Sequence, residues 1–169
     1  EVKVDYPDLK ILVNNMFNTM YKANGVGLAA PQIGKSIRLF VIDGSPFQNE
    51  DPTMEGFKKI FINPYILKEE GEDKIFNEGC LSIPNIREDI SRKFKITIRY
   101  QDGDFQTHQQ DFDGLKARII QHEYDHLEGI LFIDYLSVLR KRLLKGKLLD
   151  ISKGNINVDY RMKFSKKKF

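Results

Sequence analysis

The sequence predicts an α+β fold in which antiparallel strands surround one buried central helix, and three observations carry that expectation. Phe94, Ile96, Ile98 and Tyr100 alternate with polar residues, Asp102-Gly103 supplies a turn, and Phe105 to Gln110 runs back beside them, which is a hairpin pattern. Arg38–Ile42 and Ile60–Ile62 are apolar runs of strand length. Leu115, Ile119, His122 and His126 fall at i, i+4, i+7 and i+11, one face of a helix on which histidines continue an apolar stripe. Such a helix points its histidines inward.

The remaining elements follow in chain order. Leu9, Leu12, Val13, Met16, Phe17 and Met20 share one helical face, begun near Asp5 and Pro7 and ended by Asn24-Gly25, and this helix is read as core packing. Gly25 to Gly34 carries little side-chain bulk, so another backbone is expected to approach closely there. Residues 44–58, with Pro46, Pro52 and Gly56, read as an exposed loop. The strand at Ile60–Ile62 is expected to break at Asn63-Pro64, and Glu69 to Asp73 to form a solvated hairpin tip. Asp111 or Asp113 is placed to cap the central helix, and His108 reads as a surface histidine. A basic helix is expected from Asp134 to Leu149, then a strand in which Ile156, Val158, Tyr160, Met162 and Phe164 alternate with polar residues. Length predicts a single domain over residues 1–169, with the basic helix, strand and tail from about 134 at its end.

Composition narrows the class. Hydrophobic content of 41% and charged content of 30% are ordinary for a globular protein. No apolar run nears the roughly 18 residues of a membrane span, and no signal-peptide pattern opens the chain. The chain opens on Glu1, not methionine, so a preceding segment is expected. Cys80 is the one cysteine, which excludes an intramolecular disulfide framework and fits a reducing cytoplasm. The net charge of +3 conceals an uneven spread: residues 139–169 hold 11 Lys and Arg against 2 Asp and Glu, the rest being acidic. A basic end on an acidic body suits an anionic surface, although a solvated helix and a lysine-rich end at 165–169 explain it more simply.

The chemistry centres on His122-Glu123-Tyr124-Asp125-His126. Histidines at i and i+4 can point at one ion, and a glutamate directly after the first lies beside that ion instead of on it, placed to take a proton from bound water. The bland alternative is a surface helix with two solvated histidines. A catalytic site of this kind needs a third protein ligand. The downstream spacings used by peptidases with this motif meet Phe132 where a histidine is required, and no glutamate follows Glu128. Asp134, Asp150 and Asp159 stay open. Upstream, Cys80 is the only soft donor, and thiolate with imidazoles suits zinc or iron; without the histidines it would read as a small buried hydrophobe.

Taken together, Gly25-Val26-Gly27-Leu28-Ala29-Ala30-Pro31-Gln32, Glu78-Gly79-Cys80-Leu81-Ser82 and Gln121 to His126 resemble, in order, the three motifs of peptide deformylases over roughly residues 5–140. The resemblance implies a hydrolase that removes the N-formyl group from the starting methionine of nascent bacterial-type proteins. It places Cys80, His122 and His126 on one metal ion per chain, Fe²⁺ with Zn²⁺, Ni²⁺ or Co²⁺ as replacements. Water on that ion attacks the formyl carbon, Glu123 serves as general base and acid, and Gln32 and the Leu81 N–H hold the oxyanion. Gly25, Val26 and Gly27 would receive the peptide as an added strand, with Glu78 and Gly79 also at the substrate. The methionine pocket would draw on Val26, Phe76, Leu115, Arg118 and Ile119. Arg118 departs from the apolar residue common there and is expected to bend its charge outward. Arg87 and Arg92 match arginines that follow the cysteine motif. The implied partners are nascent formylmethionyl polypeptides and, through the basic C-terminal region, the ribosome. Neither a membrane nor sequence-specific nucleic acid is expected. The rival readings are a metallopeptidase with this motif and a structural metal site in a ribosome-binding module.

Overall fold

In the computed structural model, which describes residues 1–164, the apolar run Leu39–Asp43 forms a strand, β2, buried at every position. It lies inside one antiparallel five-stranded sheet, ordered β1 (Gly27–Ala29), β2, β3 (Lys58–Cys80), β4 (Ile83–Gln101) and β5 (Thr107–Asp113). Because side chains alternate across a strand, Phe40 and Ile42 face α2 (Gly114–Glu128), packing with Ala117, Ile119 and Ile120. Leu39 and Val41 face the other way, onto Val13, Met16, Phe17 and Met20 of α1 (Leu9–Lys22). A third cluster joins Ile83, Ile86 and Ile90 of β4 to Phe132 and to Leu144 and Ile151 of α3 (Val138–Lys153). The expected α+β arrangement is therefore present, with α2 packed against the sheet. Among the described residues no helix is long and apolar enough to cross a membrane.

β3 and β4 make one long hairpin, and this is where the sequence reading needs most correction. Asn63-Pro64 does not end the strand. It forms an irregularity between the pairs Ile62↔Gln101 and Tyr65↔Arg99, with Asn63 at φ 49°, after which pairing resumes. Glu69 to Asp73 is likewise no hairpin tip: Glu70 pairs with Lys95 and Asp73 with Lys93 around a bulge at Gly71, φ 82°. The acidic side chains of this stretch meet Lys93 and Lys95 across the ladder, and the true tip is Leu81-Ser82, directly after Cys80. Repeated bulges bend the ribbon.

Other departures are smaller. Residues 44–58 hold two short 3-10 turns, and Met54 and Phe57 are buried under the first cluster, so the loop is not simply exposed. Asp113 precedes α2 as expected, but its side chain makes no capping hydrogen bond. The third helix starts later than predicted. Phe132–Tyr135 is a separate 3-10 turn, and Ser137 caps α3 by accepting from the Arg140 N–H at 3.2 Å. Residues 155–164 keep the predicted alternation of half-buried and exposed side chains, yet they pair with no strand among the described residues. Period-two burial records one covered side, not a ladder. The lysine-rich end at 165–169 lies outside the described residues.

Candidate metal centre and cavity

α2 supplies His122 and His126 from its inner face, and the β3–β4 tip brings Cys80 over them. The Cys80 Sγ stands 3.3 Å from His126 Nε2, and the donor atoms of Cys80, His122 and His126 all lie within 4.8 Å of one another. Soft sulfur with two imidazoles is a donor set for a transition metal. Glu123 sits beside this cluster, fully enclosed, and its Oε2 is the one buried side-chain polar atom among the described residues without a hydrogen-bond partner. A buried carboxylate oxygen normally has a partner, so an orphan beside three clustered donors fits a site built to receive a cation and its water.

Gly27 explains how Glu123 fits. A Cβ at Gly27 would fall 2.6 Å from the Glu123 Cδ, so the small-residue run admits a carboxylate rather than a backbone. Gly25 does the same for Leu81, whose Cδ1 would lie 2.7 Å from an added Cβ. Gln32 is fixed by its Oε1, which accepts from the Ala29 N–H at 2.8 Å. Its Nε2 donates to Ser82 Oγ at 3.1 Å and approaches Cys80 Sγ at 3.6 Å.

Behind the donors lies a buried charge network. Glu78 accepts from Arg92 at 2.8 and 3.1 Å and from Arg118 at 2.9 Å, and it pairs with His122 Nδ1 at 3.0 Å. Arg92 also reaches Asp125 at 2.6 Å, and Asp125 accepts from the Tyr135 hydroxyl. Burial alone would raise the Glu78 pKa, but the hydrogen bonds from His122 and Arg92 outweigh it and bring it down to about 2. A carboxylate on one ring nitrogen fixes the other nitrogen toward the metal side. Burial pulls both imidazoles down, yet Cys80 and Glu78 reverse this for His122, raised to about 10. His126 has no carboxylate on its ring; burial and the charges of His122 and Arg92 bring it down to about 3. Burial pushes Glu123 up to about 7, opposed by the charges of His122 and Arg92. That value suits a group that must both take and return a proton near neutrality.

A cavity of about 440 Å³ opens beside the centre. Gly25, Val26, Gly27, Gln32, Phe76 and Glu78 line it, with Gly79, Cys80, Leu81, Leu115, Arg118, Ile119, His122 and Glu123. The structure thus gathers nearly every sequence-named residue around one space, His126 lying just behind the wall. Two expectations change. Arg118 does not bend outward: it is buried, donating to Glu78, to the Ile90 carbonyl and to the Lys74 carbonyl, because Glu78 offers an interior counter-charge. Glu78 borders the cavity, but its carboxylate is committed to His122 and two arginines. Arg87 stays exposed and holds Asn77, whereas Arg92 is buried. Sequence reasoning missed Asp125, Ser82, Tyr135 and Tyr160. Asp125 had a signal, an acid on an inward helix that needs a cation; the others had none.

The comparisons with known proteins agree with one another. The family model described as polypeptide deformylase matches residues 1–142. The peptide deformylase of Christiangramia forsetii is 54% identical over 171 residues, 97% of this chain and 87% of that protein. That of Flavobacterium johnsoniae is 55% identical over 168 residues, 95% and 86% respectively. Among solved structures, the peptide deformylase from Legionella pneumophila is similar with a TM-score of 0.76 at 38% identity, covering 91% of this chain and 86% of that one. The Plasmodium falciparum peptide deformylase, crystallised with ten subunits per asymmetric unit, gives 0.80 at 34% identity, covering 91% and 87%.

Proposed function

The chain belongs to the polypeptide deformylase family, metal-dependent hydrolases that remove the formyl group from nascent formylated polypeptides, and from that premise we propose how its residues divide the work. Cys80, His122 and His126 would hold the ion, a reading supported by their clustered donor atoms. When bound, the ion supplies the Lewis acidity that lets water ionise near neutral pH. Glu123 accepts the proton and returns it to the departing amine, so that the formamide C–N bond is replaced by formate and a free amine. The Gln32 amide and the Leu81 N–H face the negative oxygen of the tetrahedral intermediate. Phe76, Leu115 and Ile119 give the methionine side chain an apolar seat, and Gly25 to Gly27 leave room for an extended peptide. Glu78, itself held by Arg92 and Arg118, orients His122 from behind.

The single observation that carries this reading is the unpartnered, enclosed Glu123 oxygen beside the Cys80, His122 and His126 cluster. For the metal, the donor set permits Fe²⁺, Zn²⁺, Ni²⁺ or Co²⁺ alike, and the family resemblance favours Fe²⁺ with the others as replacements. A cytoplasmic site suits a lone cysteine needed as thiolate. Residues 1–169 are read as one catalytic unit, and the basic α3 as the face turned toward the ribosome. Anaerobic purification with metal analysis, then parallel assays on formyl-Met-Ala and Met-Ala, tests the whole. Release of formate from the blocked peptide, tracking one ion per chain, is expected. Hydrolysis of the unblocked peptide alone would reject it in favour of a peptidase.

A further inference from the structure

The two-residue turn Leu81-Ser82 closes the β3–β4 hairpin, yet neither residue has the positive φ that the favoured two-residue hairpin turns require. It is held by its neighbours instead. The Leu81 side chain lies against Gly25, and Ser82 Oγ accepts from Gln32. The Ser82 N–H donates to Cys80 Sγ at 3.4 Å. The fourth tether comes from the far end of the chain: the Tyr160 hydroxyl donates to the Leu81 carbonyl at 2.7 Å. Tyr160 lies beyond residue 142, where the family match ends, on the extended segment that Ile156 anchors to the third cluster.

The Leu81 carbonyl and the Ser82 N–H belong to one peptide unit. A hydrogen bond accepted by that carbonyl polarises the unit and strengthens its N–H as a donor. Hydrogen bonds to a ligating sulfur tune how much charge it gives the metal. We infer that Tyr160 is a positioning residue that, through the Leu81–Ser82 peptide, both fixes the Leu81 backbone at the cavity and strengthens the hydrogen bond on the Cys80 sulfur. The metal part of this inference rests on the reading of Cys80 as a ligand; the peptide part does not.

The test uses the full chain and the Tyr160→Phe variant, which keeps the ring and removes only the hydroxyl. In the metal-free protein, the Ser82 amide proton is expected to move upfield and exchange about 2- to 10-fold faster, as loss of one ordinary hydrogen bond implies. Amides of α3 should stay in place. In the cobalt-loaded protein, the sulfur-to-metal charge-transfer band should move to lower energy, because the sulfur is less held. For formyl-Met-Ala, kcat should fall with KM unchanged. A Ser82 amide and a cobalt band both at their wild-type positions would overturn the inference and leave Tyr160 as packing. If the wild-type protein itself shows no sulfur-to-cobalt band, the Cys80 ligand reading and the metal part fail together. The amide measurement still decides the peptide part.

Discussion

α1 and α2 press on opposite faces of the same sheet and bury opposite kinds of side chain. α1 buries Leu9, Val13, Met16, Phe17 and Met20, all apolar. α2 buries Arg118, Gln121, Glu123, Asp125 and His126 among its alanine and isoleucines. The first face is stabilised by removing apolar surface from water, at about 25 cal/mol per Å². The second has an apolar cluster too, but must also satisfy buried polar groups, which it does through Glu78, Arg92 and Asp125 for all but the Glu123 Oε2. α2 therefore serves both purposes, with Ala117, Ile119 and Ile120 in the first apolar cluster and the charged and polar side chains on the rest of its surface.

The sharpest break in the comparison is Glu123→Gln. It should lower the rate on formyl-Met-Ala by about 10²–10⁴, the range for loss of an acid–base group, while metal content and thermal midpoint hold. Full activity in a metal-loaded Gln variant would contradict the role given to Glu123. Next in size is Arg92→Met, which leaves Glu78 and Asp125 buried without their shared cation. Urea unfolding should show a loss of about 3–5 kcal/mol. A small loss would mean that the network is not as enclosed as it looks.

On the apolar face, Met16→Ala deletes a side chain with no exposure and should cost about 2–5 kcal/mol by the same measurement, with kcat on formyl-Met-Ala unaffected in the folded fraction. A kcat that fell with it would show that the two faces are coupled. The smallest effect concerns Asp43 at the end of β2. Burial alone would raise its pKa, but Ser45 and Tyr21 donate to it, at 2.5 and 2.6 Å, and the net shift is below the ordinary 3.8. A depressed carboxyl contributes stability above its unfolded value and loses it as pH falls through the folded one. Wild-type protein should therefore shed this contribution below about pH 4, and Asp43→Asn should flatten that limb in urea midpoints measured from pH 6 to pH 3. An unchanged slope would remove Asp43 from the account.

Local patterns were read most accurately where one face alone decides. α1 is legible because apolar periodicity and core packing are the same fact. The hairpin at Asp102-Gly103 is legible because a turn signal sits between alternating runs, and His108 lies exposed there beside Asp102, as expected. Glu69 to Asp73 misled because an acidic, glycine-containing stretch resembles a hairpin tip. Only pairing with Lys93 and Lys95, twenty or more residues along the chain, shows it to be mid-strand. Residues 156–164 misled for the converse reason, since burial on one side implies no ladder partner.

By itself, the sequence determined the donor types and their spacing: two histidines one helical turn apart, a glutamate beside the first, a single upstream cysteine and a run of small residues. Those follow from covalent order and helix geometry, which are local. The tertiary structure decided what lies behind them. Arg118 turned inward because Glu78 was there to meet it, Glu78 went to His122, and Gly27 made room for a carboxylate. Each outcome depends on which charges become neighbours once water is removed, and buried charges must find partners through space, without regard to distance along the chain.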